Sequence, residues 1–517
     1  MKLKMKPYIK PFEKILGIME LKSLAGIEDI DFCEDGTYDL DISISDTALI
    51  RSLAYWETVG DSSVHATVQV MMESTYNGER QSERSLCDES GINLRKTRIL
   101  RYGLHDIHEY KGKFFPQLVR ACINISGIAQ DSLVLDPFCG SGTTLCEARV
   151  RGMKSVGIDF NPLSVLITKV KAGILGINKN EILMQYEKLK RNINYENVDY
   201  TNRWDKEDLE YLAGWFAEDA LIDIHIILNA VSTLENEIIA DLFRINLSNI
   251  IRELSWQKES DLRVRKEVGV YIKGTAMKRF KQEAEKQFSR MFGYLDYIQN
   301  FHLPNSRVIE GNTVNAAYIA GEYKEKCDVM ITSPPYATAL PYLDTDRLSI
   351  IILGLMKRKE FPARNTDMVG NREITEKRRM ELWRTYQNRK SELTDEICSL
   401  IDKIAEINHK PEIGFRRRNL PALLAKYFLD MLDSMKAARE LLKPGAMAFY
   451  VVGNNSTKLG EEKIIIETNL LLWNLSEKAG WIKEAYLDMD MLKATLGYDN
   501  NRSTAEAIMI FRKERDI

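Results

Sequence analysis

The run from Asp136 to Thr144, Asp-Pro-Phe-Cys-Gly-Ser-Gly-Thr-Thr, stands where a short apolar stretch gives way to helical pattern. Glycines at such a turn let the backbone approach a ligand closely, with the amides of a helix start exposed beside it. No Gly-Lys-Ser/Thr follows, so this is not a phosphate-binding P-loop. The third glycine of the dinucleotide fingerprint is also missing. A second apolar run, Lys154–Asp159, ends in a carboxylate placed for ribose hydroxyls, at the spacing of a βαβ unit.

Thr332-Ser333-Pro334-Pro335-Tyr336 follows another buried run, Asp328–Ile331. Two prolines fix φ and remove two N–H donors. The carbonyls nearby are held rigid, with a hydroxyl before them and an aromatic ring after. That set suits a planar group bearing an NH₂. Ser333 Oγ and the Pro334 carbonyl would accept from the amine, and the Tyr336 ring would stack on the face.

Elements must hold these two loops together. Ser306–Asn312, Cys327–Ser333 and Ala446–Asn454 are further buried runs, and helical pattern separates them. Short apolar runs alternating with helices predict an α/β fold with a doubly wound, mostly parallel sheet. Trp481–Met491 and Thr504–Arg512 read as a closing strand pair. Two insertions interrupt the series, a helical one over 177–304 and a charged one over 357–419, with Glu373–Ile404 a long helix or helical pair. The expected catalytic domain is thus 100–176, 305–356 and 420–517, behind an N-terminal extension, 1–99, of no assigned role. In that extension Thr37–Ser45 alternates like a strand, and Val64–Met72 is β-branched and apolar.

The 517 residues carry 72 basic and 75 acidic side chains, a net charge of −3, with 44% apolar and 28% charged residues. That is a globular balance. It excludes wholesale disorder, a collagen-like fibre and a membrane bundle. No apolar run approaches the ~20 residues of a membrane span. The basic start is followed by no apolar core of about 7–15 residues, so a secretory signal is not expected. Cys33, Cys87, Cys122, Cys139, Cys146, Cys327 and Cys398 form no CxxC pair, which points to reduced thiols in the cytoplasm. His105 and His108 lack further ligands at metal spacing, so no metal is expected.

Together, Asp136–Thr144 and Ser333–Tyr336 resemble the amino-methyltransferases of DNA, which use S-adenosylmethionine (SAM). The first resembles their SAM-binding motif. The second resembles their catalytic Ser/Asn/Asp-Pro-Pro-Tyr/Phe motif, whose Ser form is typical of the cytosine-N4 enzymes. The resemblance covers mainly 105–175, 305–355 and 435–513. It implies a seven-stranded sheet in the order 3-2-1-4-5-7-6. It implies catalytic Ser333, Pro334, Pro335 and Tyr336. It further implies cofactor contacts from Lys113, Phe115, Asp136, Phe138, Gly140, Gly142, Thr143, Asp159 and Asn312. Lys111, Lys113, Phe115 and Pro116 match in type a segment that closes over the methionine end of SAM. The SAM motif precedes the catalytic one here, which departs from the order of many cytosine-N4 enzymes and occurs in adenine-N6 enzymes and in RNA guanine-N2 methyltransferases.

The expected activity is site-specific methylation of the exocyclic amine of a flipped base in duplex DNA, cytosine N4 in first place. The alternatives are adenine N6, an RNA base amine, or a non-catalytic nucleic-acid-binding subunit of a defence complex. Partners implied are DNA and a cognate restriction nuclease or other defence proteins, with no membrane. Basic clusters at Arg263, Arg265 and Lys266, at Lys278, Arg279 and Lys281, and at Arg416–Arg418 are available for phosphates. Asn501-Arg502-Ser503, before the last strand, reads as a polar turn.

Overall fold

The computed structural model describes residues 1–31, 33, 35–60, 63–75, 98–110, 112–196, 198–258, 266–337, 342–372, 374–408, 415–459, 462–490 and 502–515. Its large sheet contains β1 (Leu133–Asp136), β2 (Lys154–Asp159), β3 (Ser306–Glu310), β4 (Cys327–Thr332), β5 (Leu442–Leu459), β6 (Glu462–Ile466), β7 (Trp481–Asp490) and β8 (Arg502–Lys513). The spatial order is β3-β2-β1-β4-β5-β8-β7, with β6 hairpinned onto β5. With that hairpin set aside, the order is the expected 3-2-1-4-5-7-6. The first five strands run parallel, and β8 lies antiparallel between β5 and β7.

Side-chain alternation explains why these segments are strands buried on both faces. Leu135, Met330, Ala448, Tyr450 and Met509 point to one side and pack on the helix Leu420–Leu441. Val134, Val329, Ile331, Phe449, Val451, Ile508 and Ile510 point to the other side. They meet Leu118, Val119 and Ala148 of the helices Pro116–Ser126 and Thr143–Val150. Fully burying one such side chain contributes about 1.5–3 kcal/mol.

The first insertion is helical, as its periodicity predicts. Helices Glu218–Ser232, Glu237–Leu254 and Thr275–Ile298 share one core with the helix Pro162–Ile174, which follows β2. The second insertion holds the helical pair Glu376–Arg389 and Asp395–Asn408. Despite its charge it is anchored in the main core through Tyr386, Ile397 and Ile401. Arg389 grips Asp433 of the long helix at 2.6 and 2.8 Å.

The N-terminal region forms a separate four-stranded antiparallel sheet from Lys2–Met5, Thr37–Asp39, Trp56–Val59 and His65–Ala66. Here the expectation for Val64–Met72 needs correction. Only its first residues are extended, and Val68–Ser74 is a helix capped by Thr67. The reason is spacing by four. Val68 and Met72 enter the core, while Gln69 reaches Tyr102 at 2.6 Å and Glu73 takes Lys6 at 2.7 Å. A strand would have split each of these pairs from its partners.

Candidate active site

The carboxyl ends of β1, β2 and β4 open into one cleft of about 810 Å³, its open mouth included. Open α/β sheets bind ligands at this edge, and the size suits a nucleoside-bearing molecule. Lys113, Asp136, Phe138, Gly140, Thr143, Asp159, Asn312, Ser333 and Pro335, all expected at the site, line it. Tyr110, Phe114, Phe160, Met368 and Val369 line it too and escaped the sequence reading. Phe160 was adjacent to a chosen residue. Met368 and Val369 carried no signal, lying deep in the charged insertion.

The glycine loop is built by backbone geometry. Gly140 and Gly142 have φ of +50° and +76°, the left-handed region that side chains avoid. A Cβ on Gly140 would approach the Tyr110 ring at 3.2 Å, on the cleft wall. A Cβ on Gly142 would meet Thr168 at 2.8 Å. Gly142 is not on the cleft wall, so its role is the turn and the close approach of the helix Pro162–Ile174. Thr168 completes this contact by donating to the Gly140 carbonyl at 2.9 Å.

Two carboxylates hold the loop. Asp136 Oδ1 accepts from the Phe138 amide at 3.1 Å and from Thr332 Oγ1 at 2.7 Å. Asp159 Oδ2 accepts from the Gly140 amide at 2.8 Å, and Oδ1 from the Asn161 amide at 2.8 Å. Burial pushes both carboxyls up to about 6, against the lowering effect of these donors. Asp159 therefore shapes the glycine loop as well as facing the cleft.

Other expected residues are placed differently. Phe115 is not on the cleft wall. It packs against the core, with Arg98 5.8 Å above its ring, and its neighbour Phe114 faces the cleft instead. Phe115 is the residue that caps the helix Pro116–Ser126, and this capping conformation turns its ring away. Lys113 donates to the carbonyls of His105, at 3.2 Å, and His108. Burial, with Lys171 and Arg101 adding repulsion, pulls its ammonium down to about 6. Lys111 and Asn501 lie outside the described residues. His105 binds Glu147 at 2.8 Å and His108 binds Ser248 at 3.0 Å, so both belong to buried hydrogen-bond networks.

The second insertion closes one wall. Arg364 lies 4.1 Å over the Phe160 ring, donates to the Phe160 carbonyl at 2.8 Å and pairs with Glu310 at the end of β3. Asn312 donates to the Asp367 carbonyl at 2.9 Å and caps the following turn. Its side chain is thus committed to the wall.

On the opposite side, Ser333 Oγ donates to the Val451 carbonyl at 2.9 Å. Tyr427 donates to the Pro335 carbonyl at 2.9 Å. Pro334 is buried, and Tyr336, half-buried, stands beyond the cleft wall with its hydroxyl on Glu506 at 2.7 Å.

The cleft fits SAM on its own chemistry. Aromatic rings at Tyr110, Phe138 and Phe160 can cover a purine, carboxylates can take hydroxyls, and a poorly charged Lys113 tolerates a cation nearby.

Residues 62–169 match a family model described as DNA methylase, of the N6/N4 type. Type II methyltransferase M.MvaI of Kocuria varians is 24% identical over 388 residues, 72% of this chain and 81% of that protein. Type II methyltransferase M.BsoBI of Geobacillus stearothermophilus is 23% identical over 416 residues, 73% of this chain and 78% of that protein. Among solved structures, the rRNA methyltransferase aviRa from Streptomyces viridochromogenes aligns at a TM-score of 0.27 and 10% identity, over 78% of this chain and 88% of its own.

The sheet has the seven-stranded order expected of a SAM-dependent methyltransferase, and the cleft opens at its carboxyl edge. Over residues 62–169 the chain is similar to the N4/N6 DNA methylases, and S-adenosylmethionine is the methyl donor that this similarity implies. No helix among the described residues is long and apolar enough to cross a membrane.

Proposed function

We propose that the protein methylates the N4 amine of a cytosine flipped out of duplex DNA. The observation that carries this reading is the Ser333 hydrogen bond. Its only proton is committed to the Val451 carbonyl, so the lone pairs of Oγ remain to accept. An exocyclic amine, which needs acceptors to aim its lone pair, is the matching partner. Ser in the first position of the motif favours cytosine within the family resemblance.

SAM, when bound, supplies an electrophilic methyl group on a sulfonium whose leaving group is a neutral thioether. The chain's work is positioning and electrostatics. Ser333 Oγ and the Pro334 carbonyl accept the amine protons, and the Tyr336 ring stacks on the base, which is unreachable inside a duplex. Neither acceptor is a strong base, so the amine proton leaves to solvent after transfer. Phe160, Asp159 and Asp136 serve the cofactor end. The charged insertion and the basic clusters supply DNA contacts, and a cognate restriction nuclease is the natural partner.

Mass spectrometry of nucleosides from DNA of cells expressing the protein tests the reading. N4-methylcytosine is expected. N6-methyladenine would overturn the choice of base, and neither mark would overturn DNA as the substrate.

A further inference from the structure

Tyr336 sits in a socket made by the strands that close the sheet. Gly453 on β5 and Glu506 on β8 face each other across the antiparallel pair, just past a register shift in β8. The glycine leaves a gap. A Cβ there would come within 2.6 Å of Tyr336 Cε2 and 3.0 Å of Glu506 Cγ. The ring edge lies against that gap, and its hydroxyl donates to Glu506 Oε1 at 2.7 Å. Just beyond the ring, Asn455 of β5 donates to the Ala337 carbonyl at 2.5 Å. The strands that close the sheet therefore hold both the catalytic ring and the backbone that follows it.

We propose that Glu506 is a positioning residue, which orients the Tyr336 ring as the base-stacking platform by accepting its hydroxyl above the gap at Gly453. The inference rests on the reading that Tyr336 stacks the flipped base. A stacked ring is free to slide and tilt when only its faces are held. A hydrogen bond at the para position, with the edge stopped against a glycine, removes those motions. The ordering cost of substrate binding falls accordingly. Phenylalanine would stack as well but would lack the tether, so this chain should be sensitive to a change that stacking alone tolerates. Burial raises the Glu506 carboxyl, and the tyrosine hydroxyl opposes that rise. The pair is thus mutually supporting.

The experiment uses the full chain, tritiated SAM and genomic DNA from a strain without modification enzymes. It reads kcat and KM for DNA, with SAM affinity by calorimetry. Tyr336→Phe and Glu506→Ala should each lower kcat/KM for DNA about tenfold, the scale of one lost hydrogen bond to a charged acceptor. The double variant should be no worse than either single, because both remove the same bond. Glu506→Gln, which keeps an acceptor oxygen, should retain most activity, and SAM affinity should stay within about twofold throughout. Gly453→Ala should match the loss by displacing the ring. Wild-type rates in both singles, or losses that multiply in the double, would overturn the proposal. So would SAM affinity falling in step with turnover, which would mark Glu506 as merely structural. Tyr336→Ala keeps the two readings apart. If it transfers methyl groups at the wild-type rate, the stacking role itself fails. If it is crippled while Glu506→Ala is not, only the socket fails.

Discussion

Thr332 Oγ1 donates to Asp136 Oδ1 at 2.7 Å, joining residues 196 positions apart at the ends of adjacent parallel strands. One belongs to the glycine loop and the other immediately precedes Ser333. The bond thus sets the glycine loop against the Ser333–Tyr336 turn. Both groups are fully or almost fully buried, so no water replaces a lost partner.

Thr332→Val keeps the shape and removes the donor. Asp136 keeps the Phe138 amide but loses the Thr332 hydroxyl. Stability should drop by ~1–3 kcal/mol, the cost of an under-satisfied buried acceptor. The midpoint of urea unfolding at pH 7.5 measures it.

The two loop glycines should respond differently. Gly142→Ala faces positive φ and a 2.8 Å approach to Thr168, so it should cost stability by roughly 1–3 kcal/mol, with SAM affinity falling as a consequence. Gly140→Ala presses on Tyr110 at the cleft wall, so SAM affinity should fall by more than its smaller stability loss accounts for. Calorimetric titration beside thermal melts separates the two.

Arg364→Ala removes the guanidinium over Phe160 and its pairing with Glu310. A cation–π contact of this kind contributes ~0.5–2 kcal/mol. SAM should bind about three- to tenfold more weakly, with a modest fall in melting temperature. Arg364→Lys should not rescue, because an ammonium cannot stack flat and serve the carbonyl and carboxylate together.

SAM affinity should fall as the pH drops through about 6. Asp136 and Asp159 take up protons there, and Lys113 becomes fully charged in the same range, all against a cationic ligand. Asp159→Asn should flatten that dependence in titrations from pH 5 to 8. Folding has the opposite sign. The two carboxyls ionise near their usual range when unfolded and near 6 when folded, so the native state holds extra protons between. Their contribution to the stability of the free protein is greatest at low pH and declines as pH rises through 6.

Ser333→Ala leaves the two prolines and the Tyr427 contact in place. Single-turnover methyl transfer should slow by about tenfold or more, ~1.4 kcal/mol per decade, with SAM affinity unchanged. A wild-type rate would move the acceptor site elsewhere.

Much of this was readable before any coordinates. The glycine loop and the two prolines declare themselves because they constrain their own backbone. The sheet declares itself because a short continuous apolar run, buried on both faces, is a property of each strand alone. Strand order came from the family resemblance, not from the pattern.

Other features depended on closure of the chain on itself. Which of two adjacent rings, Phe114 or Phe115, faces the cleft turns on the conformation at one helix start. That Gly142 is reserved for Thr168 depends on how the helix Pro162–Ile174, beyond β2, lies against the loop. Met368, Val369 and Arg364 reach the cleft wall from an insertion that the sequence marks only as charged and helical. The Glu506 carboxylate meets Tyr336 across 170 residues, and only the antiparallel return of β8 beside β5 brings it there. Local pattern determines the motifs and the strands. The partners of each side chain follow from long-range packing, which no window of sequence contains.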